Sequence, residues 1–115
     1  MLLKIKNTNL EYHRVGSGPL IILFHSTASS LNQWHSLINL LKNEYEIIAI
    51  NLFGYGLTSK WIENNNPQNL LDHVKLTEPF INSYNGKITF IGHSFGGSVA
   101  MRAALEFQNK LNKLI

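Results

Sequence analysis

The chain has 115 residues, of which 44% are hydrophobic and 15% are charged. That length is enough for one domain with a modest core, and the apolar fraction excludes a disordered chain. The absence of cysteine excludes a disulfide framework and a thiolate metal site. The net charge of +3 comes from thinly spread lysines, which argues against nucleic-acid binding.

The sequence has no targeting signal and no membrane-spanning pattern. No apolar run approaches the roughly 18 residues that a membrane span needs. Charge interrupts the N-terminal segment, which is unlike a signal peptide. We therefore expect a cytoplasmic protein with neither metal nor cofactor.

Short apolar runs alternate with helical patterns, which is typical of a layered α/β fold. Strand patterns occupy residues 2–6, 9–14, 20–24, 46–50, 87–91 and 111–115. The first two segments predict a hairpin, and the next three predict parallel strands that are buried on both faces. We expect the 46–50 strand on one side of the 20–24 strand and the 87–91 strand on its other side. The last segment resembles the beginning of a further strand.

Three segments predict helices. The first covers residues 31–43, with Ser30 and Gln33 at the spacing of a capping box. In the second, residues 64–66 predict a linker and cap, Pro67 the first helical position, and apolar spacing a helix as far as residue 84. Pro79 predicts a kink or break near residues 76–78, because its ring removes a helical hydrogen bond. The third helix is predicted over residues 95–109.

A chemical motif separates the 87–91 strand from the last helix. The sequence Gly92-His93-Ser94-Phe95-Gly96 has the form Gly-x-Ser-x-Gly, between a strand and a helix. In so sharp a turn the serine backbone is strained, and side chains two residues to either side would collide with the neighbouring elements. The turn would hold the Ser94 hydroxyl at a helix N-terminus, where developing negative charge is favoured. The alternative is a glycine-rich turn in which Ser94 has no role.

The sequence resembles the α/β-hydrolase family. Residues 23–27, Leu-Phe-His-Ser-Thr, match the family's strand that ends in His-Gly, and Trp34 lies at the usual distance beyond it. Residues 51–59 match its Asp-x-x-Gly-x-Gly-x-Ser loop. Two departures matter: Ser26 replaces the usual glycine, and Asn51 replaces the usual aspartate, which removes a charge that braces the loop.

The resemblance implies a role for each matching residue. Ser94 would be the nucleophile that attacks an ester or related acyl carbon. The backbone N–H groups of Phe95 and Thr27 would form the oxyanion hole. Structural or supporting residues would be His25, Ser26, Gly92, His93 and Gly96. The other histidines, His13, His35 and His73, are expected on the surface or on a helix face.

The family's triad continues after the nucleophile with an acid and then a histidine. Residues 95–115 contain a single carboxylate, Glu106, and no histidine. Residues 1–115 therefore resemble the N-terminal part of an α/β-hydrolase domain, without the acid, the base and the cap.

Two hypotheses follow from this pattern. One is a serine hydrolase of small ester or acyl substrates whose chain is incomplete here. The other is a non-catalytic remnant or a binding module of the same fold. A nucleotide-binding βαβ protein is disfavoured, because neither Gly-x-Gly-x-x-Gly nor a Gly-Lys-Ser/Thr phosphate loop is present. In either case we expect self-association through an exposed sheet edge.

Overall fold

The structure, a computed structural model, describes residues 1–62 and 67–115. Its strands are β1 (Leu2–Ile5), β2 (Thr8–Gly16), β3 (Leu20–Phe24), β4 (Glu46–Ile50), β5 (Ile88–Gly92) and β6 (Leu111–Leu114). Its helices are α1 (His35–Leu41), α2 (Leu70–Lys75), α3 (Glu78–Ser83) and α4 (Phe95–Glu106), with 3₁₀ turns at Leu31–Trp34 and Gln108–Lys110.

The strands form one sheet in the order β1-β2-β4-β3-β5-β6. β1 and β2 pair antiparallel, as do β2 and β4, whereas β4, β3, β5 and β6 run parallel. The predicted hairpin and the predicted order of the three central strands are both confirmed. Because parallel strands end at the same edge, the loops after β3, β4 and β5 meet there.

The central strand β3 is apolar throughout because both of its faces are covered. Leu20, Ile22 and Phe24 belong to a core that includes residues of α2, α3 and α4. Ile21 and Leu23 face the opposite way, into a smaller core under α1. This two-sided burial explains why the strand lacks the alternation of a half-exposed strand.

The first helical segment differs from its prediction. It begins as a 3₁₀ turn and becomes the α-helix α1 only at His35. The expected capping box is wrong: Ser30 accepts from the Asn32 N–H at 3.2 Å, and the Gln33 side chain bonds to Ser26 instead. The Gln33 side chain that would complete the capping box instead accepts a hydrogen bond from the Ser26 backbone.

The second helical segment is broken as expected. α2 ends at Lys75 and α3 begins at Glu78, with Pro79 in its first turn. Pro67 is not helical, because the helix starts only after Asn69. The linker and cap predicted at residues 64–66 lie outside the described residues. The last helix ends at Glu106, three residues earlier than predicted.

Candidate active site

The turn between β5 and α4 has the strained conformation expected of a nucleophile elbow. Ser94 has φ 56° and ψ −117°, a positive φ that L-residues rarely adopt. The residue is exposed and directly precedes the first residue of α4. The N–H of His93 donates to the carbonyl oxygen of Phe24 at 3.2 Å, which ties the turn to the end of β3. The strained backbone predicted for Ser94 is confirmed by this positive φ.

The two glycines that flank the serine are required by close backbone contacts. A Cβ atom on Gly92 would overlap the backbone of Gly96. A Cβ atom on Gly96 would overlap the carbonyl oxygens of Phe24 and His25 at the end of β3. The steric reason inferred from the sequence is the one that operates here.

Side chains from other elements hold the loop that follows β3, residues 25–30, which we call the β3 loop. The Ser26 N–H donates to Gln33 Oε1 at 2.8 Å, and the Ala28 N–H donates to the Tyr55 hydroxyl at 3.1 Å. Ala28 has φ 59°, a strained conformation for a residue with a side chain. Fixed neighbours on both sides hold Thr27 in place.

Two backbone amides, one in the β3 loop and one at the first residue of α4, have no hydrogen-bond acceptor in the part of the chain that the structure describes. Among the described residues, no acceptor takes the Thr27 N–H, and the same is true of the Phe95 N–H. Thr27 is exposed and Phe95 is half-buried. These are the two donors that the resemblance to the family assigns to an oxyanion hole.

His25 is completely buried, and both of its ring nitrogens are hydrogen-bonded. Nδ1 donates to the Ser26 carbonyl oxygen at 2.7 Å, and Nε2 accepts from the Leu52 N–H at 3.0 Å. Burial lowers the pKa of this imidazole below its ordinary value, although the Ser26 bond acts in the opposite direction. His25 therefore joins the ends of β3 and β4 as a neutral ring.

Asn51, which stands where the family has aspartate, still braces its loop. Its Oδ1 accepts from the Leu31 N–H at 2.7 Å, and its Nδ2 donates to Glu11 Oε1 at 2.7 Å. The same Glu11 oxygen accepts from the Leu57 N–H at 2.8 Å. The expectation that the brace loses a charge needs correction, because Glu11 supplies a carboxylate from β2.

The remaining histidines fall into two groups. His13, His35 and His93 are exposed. His73 was expected on the surface or on a helix face; it lies on a helix, and its 4% exposure excludes the surface position. It lies on α2 between the rings of Phe53 and Phe95, at centroid distances of 5.5 and 5.3 Å, and its Nδ1 has no partner among the described residues. Burial lowers the pKa of His73 to about 4, and the nearby Asp72 only partly offsets this.

Comparison with known proteins identifies the family. Residues 19–115 match the alpha/beta hydrolase fold family. The chain belongs to this family. It is 30% identical to human epoxide hydrolase 4 over 97% of its own length and 32% of that protein. It is 31% identical to a pimeloyl-[acyl-carrier protein] methyl ester esterase of Legionella pneumophila, over 93% of this chain and 41% of the esterase.

Comparison with solved structures also indicates the α/β-hydrolase fold. The epoxide hydrolase VrEH1 of Vigna radiata superposes with a TM-score of 0.84 at 21% identity, over 96% of this chain and 36% of that structure. The chain spans about a third of the length of the proteins it matches. In the part of the chain that the structure describes, no helix is long and apolar enough to cross a membrane, and no three potential metal ligands cluster.

Four residues near the site had no functional role in the sequence prediction, which placed Gln33 only in a capping box and His73 only on the surface or a helix face. They are Glu11, Gln33, Tyr55 and His73. Glu11 and Tyr55 each hold a loop through a hydrogen bond to a residue that is distant in sequence, and no local pattern encodes such a partner. Gln33 holds the β3 loop through Ser26, seven residues earlier, whereas the sequence pattern predicts Ser30 as its partner. His73 had one usable signal: it lies between Leu70 and Val74 in the helical apolar pattern.

Proposed function

We propose that the chain supplies the nucleophile and the oxyanion hole of a serine hydrolase that acts on a small ester or related acyl substrate. Ser94 would attack the acyl carbon, and the Thr27 and Phe95 amides would bind the resulting oxyanion. The observation that carries this proposal is an exposed serine at φ 56°, in a turn bonded to the end of β3, together with Phe95 and Thr27 amides that have no acceptor among the described residues. The relative that is a methyl ester esterase supports ester chemistry.

The electrostatics of the turn favour the same chemistry. Ser94 directly precedes α4, a helix of 12 residues, so the positive end of the helix dipole lies at the nucleophile. A preorganised backbone donor in an oxyanion hole contributes about 3 kcal/mol to transition-state stabilisation. The Ser94 turn therefore suits a reaction in which negative charge develops on a carbonyl oxygen.

No described histidine is arranged as a general base for Ser94. His25 uses both ring nitrogens in backbone contacts. His93 accepts at Nδ1 from the Gln33 amide, so its proton resides on Nε2. His73 is buried behind Phe95. In the whole protein we propose that the base and its acid partner come from residues other than these.

Covalent labelling of the 115-residue polypeptide tests this proposal. An alkyl fluorophosphonate should modify Ser94, since it requires one attack and no deacylation, and an oxyanion hole alone retains part of the rate enhancement. The Ser94→Ala variant should remain unmodified. Ser98→Ala, which changes an exposed serine of α4, should be modified like the wild type. Peptide mass spectrometry identifies the labelled serine.

Steady-state turnover provides a second measurement. We expect the polypeptide to hydrolyse p-nitrophenyl acetate no faster than Ser94→Ala, because loss of triad members lowers the rate by about 10⁴ to 10⁶. Labelling at Ser98 or at random serines would contradict the assignment of Ser94. Ser94-dependent turnover would show that a described histidine acts as the base.

A further inference from the structure

One side chain bridges the β3 loop and the nucleophile turn. Gln33 lies in the 3₁₀ turn before α1 and contacts both. Its Oε1 accepts from the Ser26 N–H at 2.8 Å and from the Ser26 hydroxyl at 3.1 Å. Its Nε2 lies 3.2 Å from Nδ1 of His93, the residue before Ser94. The amide therefore spans the two elements that carry the proposed oxyanion donors.

Hydrogen-bond polarity fixes the orientation of this amide. A backbone N–H can only donate, so the atom that faces the Ser26 N–H must be the carbonyl oxygen of Gln33. The NH₂ group then faces His93, where Nδ1 must accept, and the imidazole proton resides on Nε2. Flipping the amide would place donor against donor at the Ser26 N–H. Only one arrangement satisfies both ends.

We propose that Gln33 is a positioning residue that clamps the β3 loop to the nucleophile turn and so holds the Thr27 amide in place for the oxyanion. The positioning role rests on the proposed function of Thr27 and Ser94. Thr27 directly follows Ser26, the residue that Gln33 holds. Loss of Gln33 would release the Ser26 N–H and hydroxyl and break the link to His93. The Ser26–Thr27 peptide would keep the bonds that its carbonyl oxygen accepts from His25 Nδ1 and the Ser29 N–H, and Ala28 would keep its bond to Tyr55.

The clamp depends on features particular to this chain. Ser26 replaces the family's glycine, and its hydroxyl adds a second donor to the same Gln33 oxygen. A glycine at this position would offer the backbone N–H alone. Gln33 is exposed, so its substitution removes these contacts without opening a core. The two ends of the Gln33 amide can be tested separately, because a glutamate at this position keeps an oxygen that accepts from Ser26 and loses the NH₂ group that donates to His93.

Amide hydrogen exchange of the 115-residue polypeptide tests the clamp without any Ser94 chemistry. Gln33→Leu should accelerate exchange of the Ser26 N–H about tenfold, because the acceptor is lost. Gln33→Glu should keep that exchange within about threefold of the wild type, since a carboxylate oxygen still accepts. Asn32→Leu, a change at the neighbouring exposed residue of the same turn, should leave it unchanged.

Fluorophosphonate labelling of the same variants tests the positioning role. Ser94 should be labelled about tenfold more slowly in Gln33→Leu than in the wild type. Gln33→Glu should retain most of the rate, because its carboxylate still accepts from Ser26 and the exposed His93 ring can carry its proton on Nδ1 and donate to that carboxylate. A general loss of structure would instead slow both variants and accelerate exchange throughout the core. The rescue by glutamate therefore separates positioning from stability.

The exchange and labelling experiments can contradict the clamp, the positioning role and the proposed function separately. Unchanged Ser26 exchange in Gln33→Leu overturns the clamp, whether or not Ser94 reacts. Accelerated Ser26 exchange with unchanged Ser94 labelling overturns the positioning role. A wild type in which Ser94 is never labelled overturns the proposed function, and the exchange data then decide the clamp independently.

Discussion

Asn51 accepts a hydrogen bond from one backbone amide and donates another to Glu11, and these opposite roles require an amide side chain. We predict that Asn51→Asp lowers the free energy of unfolding by about 2 kcal/mol at pH 7, because two carboxylates would meet in a buried position. Urea unfolding followed by circular dichroism measures the change.

A second substitution identifies the cause of that loss. Adding Glu11→Gln to Asn51→Asp should restore much of the stability, because an amide again faces a carboxylate. Asn43→Asp, a matched change at an exposed position, should alter stability by less than about 0.5 kcal/mol. If the double variant is no more stable than Asn51→Asp, repulsion from Glu11 is not the cause.

His73 gives the molecule a calculable sensitivity to acid. Its folded pKa of about 4 lies below the 6.5 of an unperturbed histidine, so the unfolded chain binds the proton more readily. The contribution that the uncharged, buried His73 makes to the free energy of unfolding is fully present above pH 6.5 and is lost as the pH falls towards 4. The predicted loss from this residue is about 3 kcal/mol between pH 7 and pH 4.

The His73→Leu variant should lose less stability across that range than the wild type. Chemical denaturation at a series of pH values between 7 and 4 measures the difference. His35→Leu, at an exposed histidine, should follow the wild-type profile. Some dependence should persist in His73→Leu, because burial also lowers the pKa of His25. Parallel profiles for wild type and His73→Leu would show that His73 does not titrate as described.

At the scale of elements, α2 has a reciprocal cap that holds a very short helix. Asn69 Oδ1 accepts from the Asp72 N–H at 3.2 Å, and Asp72 Oδ2 accepts from the Asn69 N–H at 2.8 Å. We predict that Asn69→Ala lowers the free energy of unfolding by about 1 kcal/mol. Thermal or urea unfolding detects the change, and Gln68→Ala at the preceding exposed residue should be neutral. Equal stability of both variants would contradict the cap.

Strands were more predictable than helix ends, for a physical reason. A strand buried on both faces requires an apolar residue at every position, as in Leu20–Phe24, and that requirement is visible in the sequence. The residue at which a helix begins depends on whether the polar side chains nearby bond to the helix backbone or to another part of the protein. Gln33 bonds to Ser26 instead of closing a capping box, whereas Asn69 and Asp72 close one at a spacing that was present in the sequence.

The candidate site was predictable where sterics dictate it. Ser94, Gly92 and Gly96 follow from the shape of one sharp turn, so a local motif contains them. The supports of the β3 loop do not follow in this way. Gln33 bonds to the loop from the 3₁₀ turn that follows it, at a spacing that no capping pattern predicts. Tyr55 contacts the loop from the segment after β4, which lies nearby because β3 and β4 are neighbours in the sheet.

At the scale of the whole molecule, the described sheet has an apolar edge at β6. Leu114, the last residue of this outermost strand, is 43% exposed, and Ile115, which follows it, is 67% exposed; the strand pairs only with β5 among the described strands. An exposed strand edge with apolar side chains is a template for pairing with a second copy. We predict that the 115-residue polypeptide associates at micromolar concentration and binds a hydrophobic dye.

Charge on that edge should suppress the association. The double variant Leu114→Lys with Ile115→Lys should sediment as a monomer and bind less dye, because lysine on an edge strand opposes edge pairing. It keeps the backbone bond between the Gly92 N–H and the carbonyl oxygen of residue 115, so the sheet itself should persist. Leu40→Lys removes an apolar residue that is 80% exposed on α1, outside the edge strand, and should associate like the wild type. If the edge variant and the wild type sediment alike, the contact lies elsewhere; if Leu40→Lys alone is monomeric, α1 carries it.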